Sequence, residues 1–407
     1  MINTDQQSTI IPGQKSGHLS LENTQIAFLS KTDAELKRAY WLFKLIASPS
    51  IMLCGKYLTV MALKMNLPIR GMIKKTIFKQ FCGGETIAEC ARTTQVLDKY
   101  NVGTILDYSV EGKNDRETFE ATCEEILRTV ETANGNPHIP FSVFKVTGMC
   151  RNELLEKISS AKPLNEEEKA EFARLKDRVD RICAKGAATG TPIFIDAEET
   201  WMQQAIDDMV MEMMARYNKT EAIVYNTLQM YRHDRLAHLK EAFAQAEKND
   251  FIYGVKLVRG AYMEKERERA EKMGYESPIQ PTKKATDRDY NAAVTFCLDH
   301  LDRVAFCAGT HNEESSLLLA EEIDRRGLDR KDRRIYFAQL FGMSDHISFN
   351  LSDAGYLVAK YVPYGPVKEV MPYLIRRAEE NTSVAGQSTR ELSLIQKEIA
   401  RRKLSRN

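Results

Sequence analysis

The chain has 407 residues, with 58 basic and 57 acidic side chains and a formal net charge of +1. Hydrophobic residues make up 43% and charged residues 28%, which excludes a disordered or collagen-like chain. The near-zero balance argues against a general nucleic-acid binder, and the length suits one large domain or two ordinary ones.

The start, MINTDQQSTIIPGQKSG, has neither the cationic and apolar regions of a signal peptide nor an Arg-rich transit helix. The apolar run 45–55 falls short of the ~20 residues needed to span a bilayer. A cytoplasmic location is expected, with peripheral contact on the inner face of a membrane. The contact is suggested by the next segment. From Leu36 to Gly84 there are nine basic residues and no acidic one, so the rest of the chain carries a net −8. Trp41, Leu42, Phe43, Leu45, Met61 and Met65 are interleaved with those cations, the pattern of an in-plane membrane helix. The competing reading is a helical region packed on the main domain with its lysine heads in solvent.

From about residue 100 short β-rich runs alternate with charged, helix-period stretches. The runs are Thr104–Asp107, Phe141–Lys145, Pro192–Asp196, Ala222–Leu228, Tyr253–Val258, Val304–Gly309, Arg334–Ala338 and Leu357–Val362. Asn165 with Glu168 three residues on is a capping-box start for a helix over 165–184. Eight such units predict an α/β fold, a (βα)8 TIM-like barrel with an N-terminal helical region. No glycine-rich nucleotide loop is present, which disfavours a doubly wound sheet. The division expected is 1–95 helical, with 1–35 flexible, 96–385 barrel, and 386–407 a basic C-terminal tail. The eight cysteines include no C-x-x-C pair and read as free thiols, and no metal site is expected.

In such a barrel the polar residues at the C-terminal ends of strands are the site candidates. They are Asp107, Lys145, Asp196, Gln229, Lys256, Arg259, the run Thr310, His311 and Asn312, then Gln339 and Tyr361. After the last strand, a turn with Pro363 and Gly365 leads into a helix through Asn381. Tyr373, Arg376, Arg377 and Glu380 share one face of it. Two adjacent guanidiniums facing inward call for a carboxylate or phosphate, although pairing of either arginine with Glu380 along the helix surface would also satisfy them.

The motifs FKVTG, FIDAEET, LQMYRHD, VKLVRGAY, GTHN, YFAQLFGMSD and above all YVPYGPVKEVMPYLIRRAEEN resemble the proline dehydrogenase family over about residues 100–385. The resemblance is weak over 1–95 and absent from the last twenty or so residues. It implies an oxidoreductase acting on CH–NH donors, with non-covalent FAD across the C-terminal face of the barrel. L-proline would be oxidised to Δ1-pyrroline-5-carboxylate by hydride transfer to flavin N5, the first step of proline catabolism. By motif position, Arg376 and Arg377 would clamp the proline carboxylate, with Glu380 and Lys145 as charged neighbours and Asp196 paired with the arginines. Tyr361, Tyr373 and Leu340 would pack on the pyrrolidine ring, near Tyr262.

For the flavin, the resemblance sets Gln229 at the isoalloxazine and Lys256 near N5. Arg259, Gly260, Ala261, Thr286, Thr310, His311 and Asn312 would hold the ribityl and phosphate groups. Lys256-Leu-Val-Arg259 is the eukaryote-like pattern, where many bacterial members exchange the Lys and the Arg. A membrane quinone is the implied electron acceptor. A separate pyrroline-5-carboxylate dehydrogenase would take the product, since 407 residues leave no room for an aldehyde-dehydrogenase half. The alternatives are a 4-hydroxyproline dehydrogenase of the same fold, a Schiff-base aldolase using Lys145 or Lys256, and a non-enzymatic scaffold.

Overall fold

Every β-rich run read from the sequence is a strand in the computed structural model, which describes residues 19–48, 68–110, 115–383 and 387–404 and isolated positions between 50 and 65. For residues 380–383, 387, 388 and 404 only the backbone is described. The strands are β1 (Val102–Tyr108), β2 (Phe141–Lys145), β3 (Ile193–Asp196), β4 (Val224–Gln229), β5 (Tyr253–Val258), β6 (Val304–Gly309), β7 (Ile335–Leu340) and β8 (Val358–Tyr364). All pair in parallel with their sequence neighbours. β8 returns to β1 through Ile105 opposite Tyr361 and Asp107 opposite Pro363, closing the barrel.

Closure follows from side-chain alternation. Ile105, Phe141, Val143, Phe194, Tyr225, Tyr336 and Tyr361 point inward, while Val224, Leu228, Val255, Leu257, Phe306 and Phe337 point outward under the helices. Phe141 stacks on Phe194 with centroids 4.2 Å apart, and meets Tyr225 and Tyr336 edge-on. Each buried ring contributes roughly 1.5–3 kcal/mol. This aromatic plug fills the lower barrel and leaves the C-terminal mouth to polar side chains.

The helices are α1 (Asp33–Ile46), α2 (Ile87–Asp98), α3 (Arg116–Ala133), α4 (Asn152–Ser159), α5 (Glu166–Thr189), α6 (Thr200–Tyr217) and α7 (Arg235–Lys248), followed by α8 (Met263–Met273), α9 (Lys283–Asp299), α10 (Glu313–Arg325), α11 (Asp345–Asp353), α12 (Met371–Ser383) and α13 (Gln387–Leu404). Asn165 and Glu168 form the expected capping box on α5. The helix continues past Ala184 to Thr189, where Gly190 in the left-handed region (φ 64°) ends it.

Three readings need correction. Pro363 lies inside β8 rather than in a turn; at this rim position its carbonyl accepts from the Gly83 amide at 2.9 Å. Of the segment 1–35 expected to be flexible, 1–18 lie outside the described residues and 19–35 are packed, with Leu21, Ala27 and Phe28 buried. The segment expected as a basic tail is the helix α13. Its Leu394 and Ile395 join Leu36, Ala39, Phe43 and Ile46 of α1 and Val370 and Leu374 in a second core over the barrel mouth. A count of basic residues hid the apolar stripe, whose period is helical.

Candidate active site

A cavity of about 630 Å³ opens at the C-terminal ends of the strands, within the range of small-molecule sites. On its floor Asp196, from β3, accepts from Lys145 of β2 at 3.1 Å, from the Tyr361 hydroxyl of β8 at 3.1 Å, and from Lys256 of β5. Lys256 also reaches the Tyr361 hydroxyl and lies 4.4 Å from that ring's centroid. The sequence reading set Asp196 against the arginines. Two lysines and a tyrosine hold it instead, because β2, β5 and β8 all deliver donors to the end of β3.

Burial by itself would raise the Asp196 carboxyl, but Lys256 and Lys145 outweigh it and hold the group at about 2. Burial would lower Lys145, yet Asp196 and Asp107 raise it above the ordinary lysine range. A Schiff base needs a neutral amine. Lys145 is held charged and Lys256 is committed to Asp196, so neither suits the aldolase reading.

The wall comes from α12, whose Tyr373, Arg376 and Arg377 all line the cavity, with Arg377 buried and 5.2 Å from the Tyr373 ring centroid. The side chain of Glu380 lies outside the described residues. On the opposite wall Arg259 pairs with Asp287 at 2.7 Å and donates to Thr310 and Ser315, and lies over Tyr290. Gly260 has φ 134°, and a Cβ there would meet the Tyr231 ring at 2.5 Å. Glycine at this position lets the turn pack against Tyr231 while Arg259, Gly260 and Ala261 line the cavity. Gln229 donates to the Glu198 carbonyl at 2.7 Å and accepts from the Ala261 amide at 3.4 Å, tying two rim loops together. His311 contacts the Ser344 hydroxyl at 2.8 Å and accepts from the Leu340 amide at 3.4 Å. Burial and the charges of Lys360 and Arg377 lower its ring to about 3, so it is neutral at ordinary pH.

Of the residues singled out from the sequence, Lys145, Asp196, Gln229, Lys256, Arg259, Gly260, Ala261, Tyr262, Thr310, His311, Asn312, Leu340, Tyr361, Tyr373, Arg376 and Arg377 line one cavity. Thr286 does not; it is buried in α9. The structure adds Lys283, Met343, Ser344, His346, Arg390 and Glu391. Glu391 accepts from the Ser344 amide, and Arg390 and His346 both bind Glu313. No strand end or motif pointed to α13; the buried spacing of Glu391, Leu394 and Ile395 was the available signal. Among the described residues, no group of three or more His, Cys, Asp or Glu could hold a metal.

A parallel eight-stranded barrel with a charged pocket at the C-terminal ends of its strands defines a barrel enzyme. The proline dehydrogenase profile matches residues 90–390. Over 96% of this chain and 76% of the relative, the sequence is 34% identical to mitochondrial proline dehydrogenase 1 of Dictyostelium discoideum. Over 97% of this chain and 92% of the relative, it is 30% identical to hydroxyproline dehydrogenase of Xenopus laevis. The chain belongs to the proline dehydrogenase family. A crystal structure of proline utilization A from Bdellovibrio bacteriovorus shares the fold, with TM-score 0.69 at 18% identity over 91% of this chain; the chain spans 40% of that protein's length.

Proposed function

We propose that the chain oxidises L-proline to Δ1-pyrroline-5-carboxylate, with FAD as the bound oxidant and a membrane quinone as the final acceptor. The observation that carries this reading is the adjacent pair Arg376 and Arg377 on α12, in the same cavity as the Lys145–Asp196–Lys256 floor. The lining suits an elongated anionic cofactor. Cationic side chains outnumber acidic ones in it, seven to five. Gly260 and Ala261 line the cavity without a bulky side chain, and Glu313 in the lining is engaged by His346 and Arg390.

Arg259, Gly260, Ala261, Thr310, His311 and Asn312 would hold the cofactor along one wall, with Gln229 and Lys256 at its reactive end. Bound FAD supplies a two-electron acceptor for hydride from the carbon beside the ring nitrogen. The chain's own residues orient and enclose. Arg376 and Arg377 grip the carboxylate bidentately, fixing the distance of the ring carbon from the oxidant. Leu340, Tyr361 and Tyr373 exclude water, and Asp196 on the floor, held at about 2 by the lysines beside it, stays ionised.

Purified protein that is yellow, with visible flavin absorbance bleached by L-proline, is the expected result; a colourless protein inert to proline would overturn this reading. A 4-hydroxyproline substrate is the second reading, favoured by the likeness to the Xenopus enzyme. The Tyr361 hydroxyl, already bonded to Asp196 and Lys256, narrows the space for a ring hydroxyl and supports proline. Parallel assays with the two substrates decide between them. The imine product would pass to a separate pyrroline-5-carboxylate dehydrogenase.

Contact with a membrane surface is part of the proposal. On α1 the inward residues are Leu36, Ala39, Phe43 and Ile46, and the outer face shows Lys37, Trp41 (58% exposed), Lys44 and Leu45 (50%). Lys44 lies 5.1 Å from the Trp41 ring centroid. Arg70 and Lys74 are engaged by Glu85, which leaves Lys37 and Lys44 on α1 and the exposed Lys75 and Lys79 as basic surface among the described residues; Lys56 and Lys64 lie outside them. Among the described residues no helix is long and apolar enough to cross a membrane. Co-sedimentation with anionic vesicles should weaken severalfold in a K37E/W41A/K44E variant; unchanged binding would remove α1 from the contact.

A further inference from the structure

Glu198 is a buried carboxyl just behind the cavity, and the roles assigned so far do not use it. It sits on the loop after β3, two residues beyond Asp196, and is 3% exposed. Its backbone is pinned at both ends. The amide donates to the Gln203 side chain at 2.8 Å and the carbonyl accepts from Gln229 at 2.7 Å. Its two carboxylate oxygens accept from hydroxyls, Thr147 at 2.6 Å and Tyr262 at 2.9 Å. Tyr262 in turn lines the cavity. A carboxylate so deeply buried, with hydroxyls as its hydrogen-bond partners, favours uptake of a proton.

The charged groups around it come from several elements. Lys145 on β2 faces it but is bonded to Asp196, and Glu199 beside it is paired with Lys265 of α8. The positive charge of Arg376 on α12 acts on the Tyr262 phenol. Burial pushes Glu198 up to about 7, with Glu199 adding to the effect, while Lys145, Thr147 and Tyr262 oppose it. Burial and Glu198 keep the Tyr262 phenol well above its usual range.

We propose that Glu198, reached through the Tyr262 hydroxyl, is the proton acceptor for the amine of the substrate. This deepens the proline-oxidation reading and rests on it. A cyclic amino acid enters as its ammonium form, and loss of hydride from the carbon beside nitrogen needs the nitrogen lone pair. The ammonium proton passes to the Tyr262 oxygen as the Tyr262 proton passes to Glu198. The products are a neutral amine, a neutral carboxylic acid and an unchanged phenol, so charge and atoms balance. Asp196, held at about 2, and the charged Lys145 cannot take this role. Asp107 is the rival: it lines the cavity and burial raises it, but its carboxylate accepts from Ser109 at 2.6 Å within its own strand end. Glu198 is a positioning residue in this scheme, since it acts through Tyr262.

The test uses the flavin-loaded enzyme. The kcat/KM for proline should fall below an apparent pKa near 7 in the native enzyme. Glu198→Gln should lower kcat/KM on the order of 100-fold at pH 8 and abolish that limb, and Tyr262→Phe should do the same. Asp107→Asn should leave the limb in place. An infrared carboxylic-acid band that grows as pH falls through about 7 should be missing from Glu198→Gln. Binding of a five-membered cyclic ether carboxylate, which has no ammonium proton, should be unchanged in Glu198→Gln, showing an intact site. A native enzyme inert to proline would remove the substrate reading itself. Proline turnover whose acid limb survives Glu198→Gln, or vanishes in Asp107→Asn, would overturn the role of Glu198 alone.

Discussion

The floor and the wall of the cavity are built by different physics. The floor draws Lys145, Asp196, Lys256 and Tyr361 from four strands whose spacing is fixed by the hydrogen-bond ladder of a closed barrel. The opposing charges meet there because the backbone leaves them nowhere else to point. The wall depends on helices laid across the mouth: α12 brings the arginines, and α13 fixes Ser344, and through it His311, by way of Glu391. Ser344 itself has φ 49°, a left-handed conformation that costs a non-glycine residue about 1 kcal/mol or more. Floor geometry is therefore rigid and stability-bearing, whereas wall geometry is set by docking and governs what is bound.

The largest effect should come from breaking the floor. Asp196→Ala leaves Lys145 and Lys256 facing each other in a buried site, and should cost about 3–5 kcal/mol, read as a fall in chemical-denaturation midpoint. A loss under 1 kcal/mol would mean that the floor is not the rigid half. Next is the wall. Arg377→Met should keep the fold and the bound flavin yet lower kcat/KM for proline on the order of 100-fold or more, mainly through KM. An unchanged KM would show that the arginines do not grip the carboxylate. Tyr361→Ser, where floor and substrate space meet, should open room near the ring and raise 4-hydroxyproline turnover on the order of tenfold. An unchanged preference for proline would take Tyr361 out of selectivity.

The smallest effect, read over a single pH unit, is on the pH dependence of stability. His311 stays neutral in the folded chain down to about 3, whereas an unfolded histidine takes a proton near 6.5. The unfolded state thus binds more protons between those values, so this residue's contribution falls as pH drops from 6.5 to 3, by up to ~1.4 kcal/mol per unit. His311→Asn should flatten that part of the stability curve. An identical slope would mean that the ring is protonated in the folded protein.

The strands and their terminal polar residues were legible because both follow local rules, the period of two along a strand and the placement of sites at strand ends. The run 253–258 read from the sequence is β5 to the residue, and Asp196, Lys256 and Tyr361 were found as strand ends. The doubled arginine was legible for the same reason, since Tyr373, Arg376 and Arg377 share a helical face whatever lies opposite. Thr286 was misplaced because a motif position does not say which side of α9 faces the cavity.

Sequence alone thus determined the barrel, the polar set at its mouth and the family, since each rests on periodicity or on motifs a few residues long. Only the tertiary structure decided which partner each charge takes. Asp196 went to lysines instead of arginines, Glu198 emerged behind Tyr262, and a segment that looks like a basic tail became α13, buttressing Ser344. The net charge of +1 conceals all of this. Ion pairs between residues 50 or more apart depend on distance in space and on burial, and a linear chain carries no direct record of either.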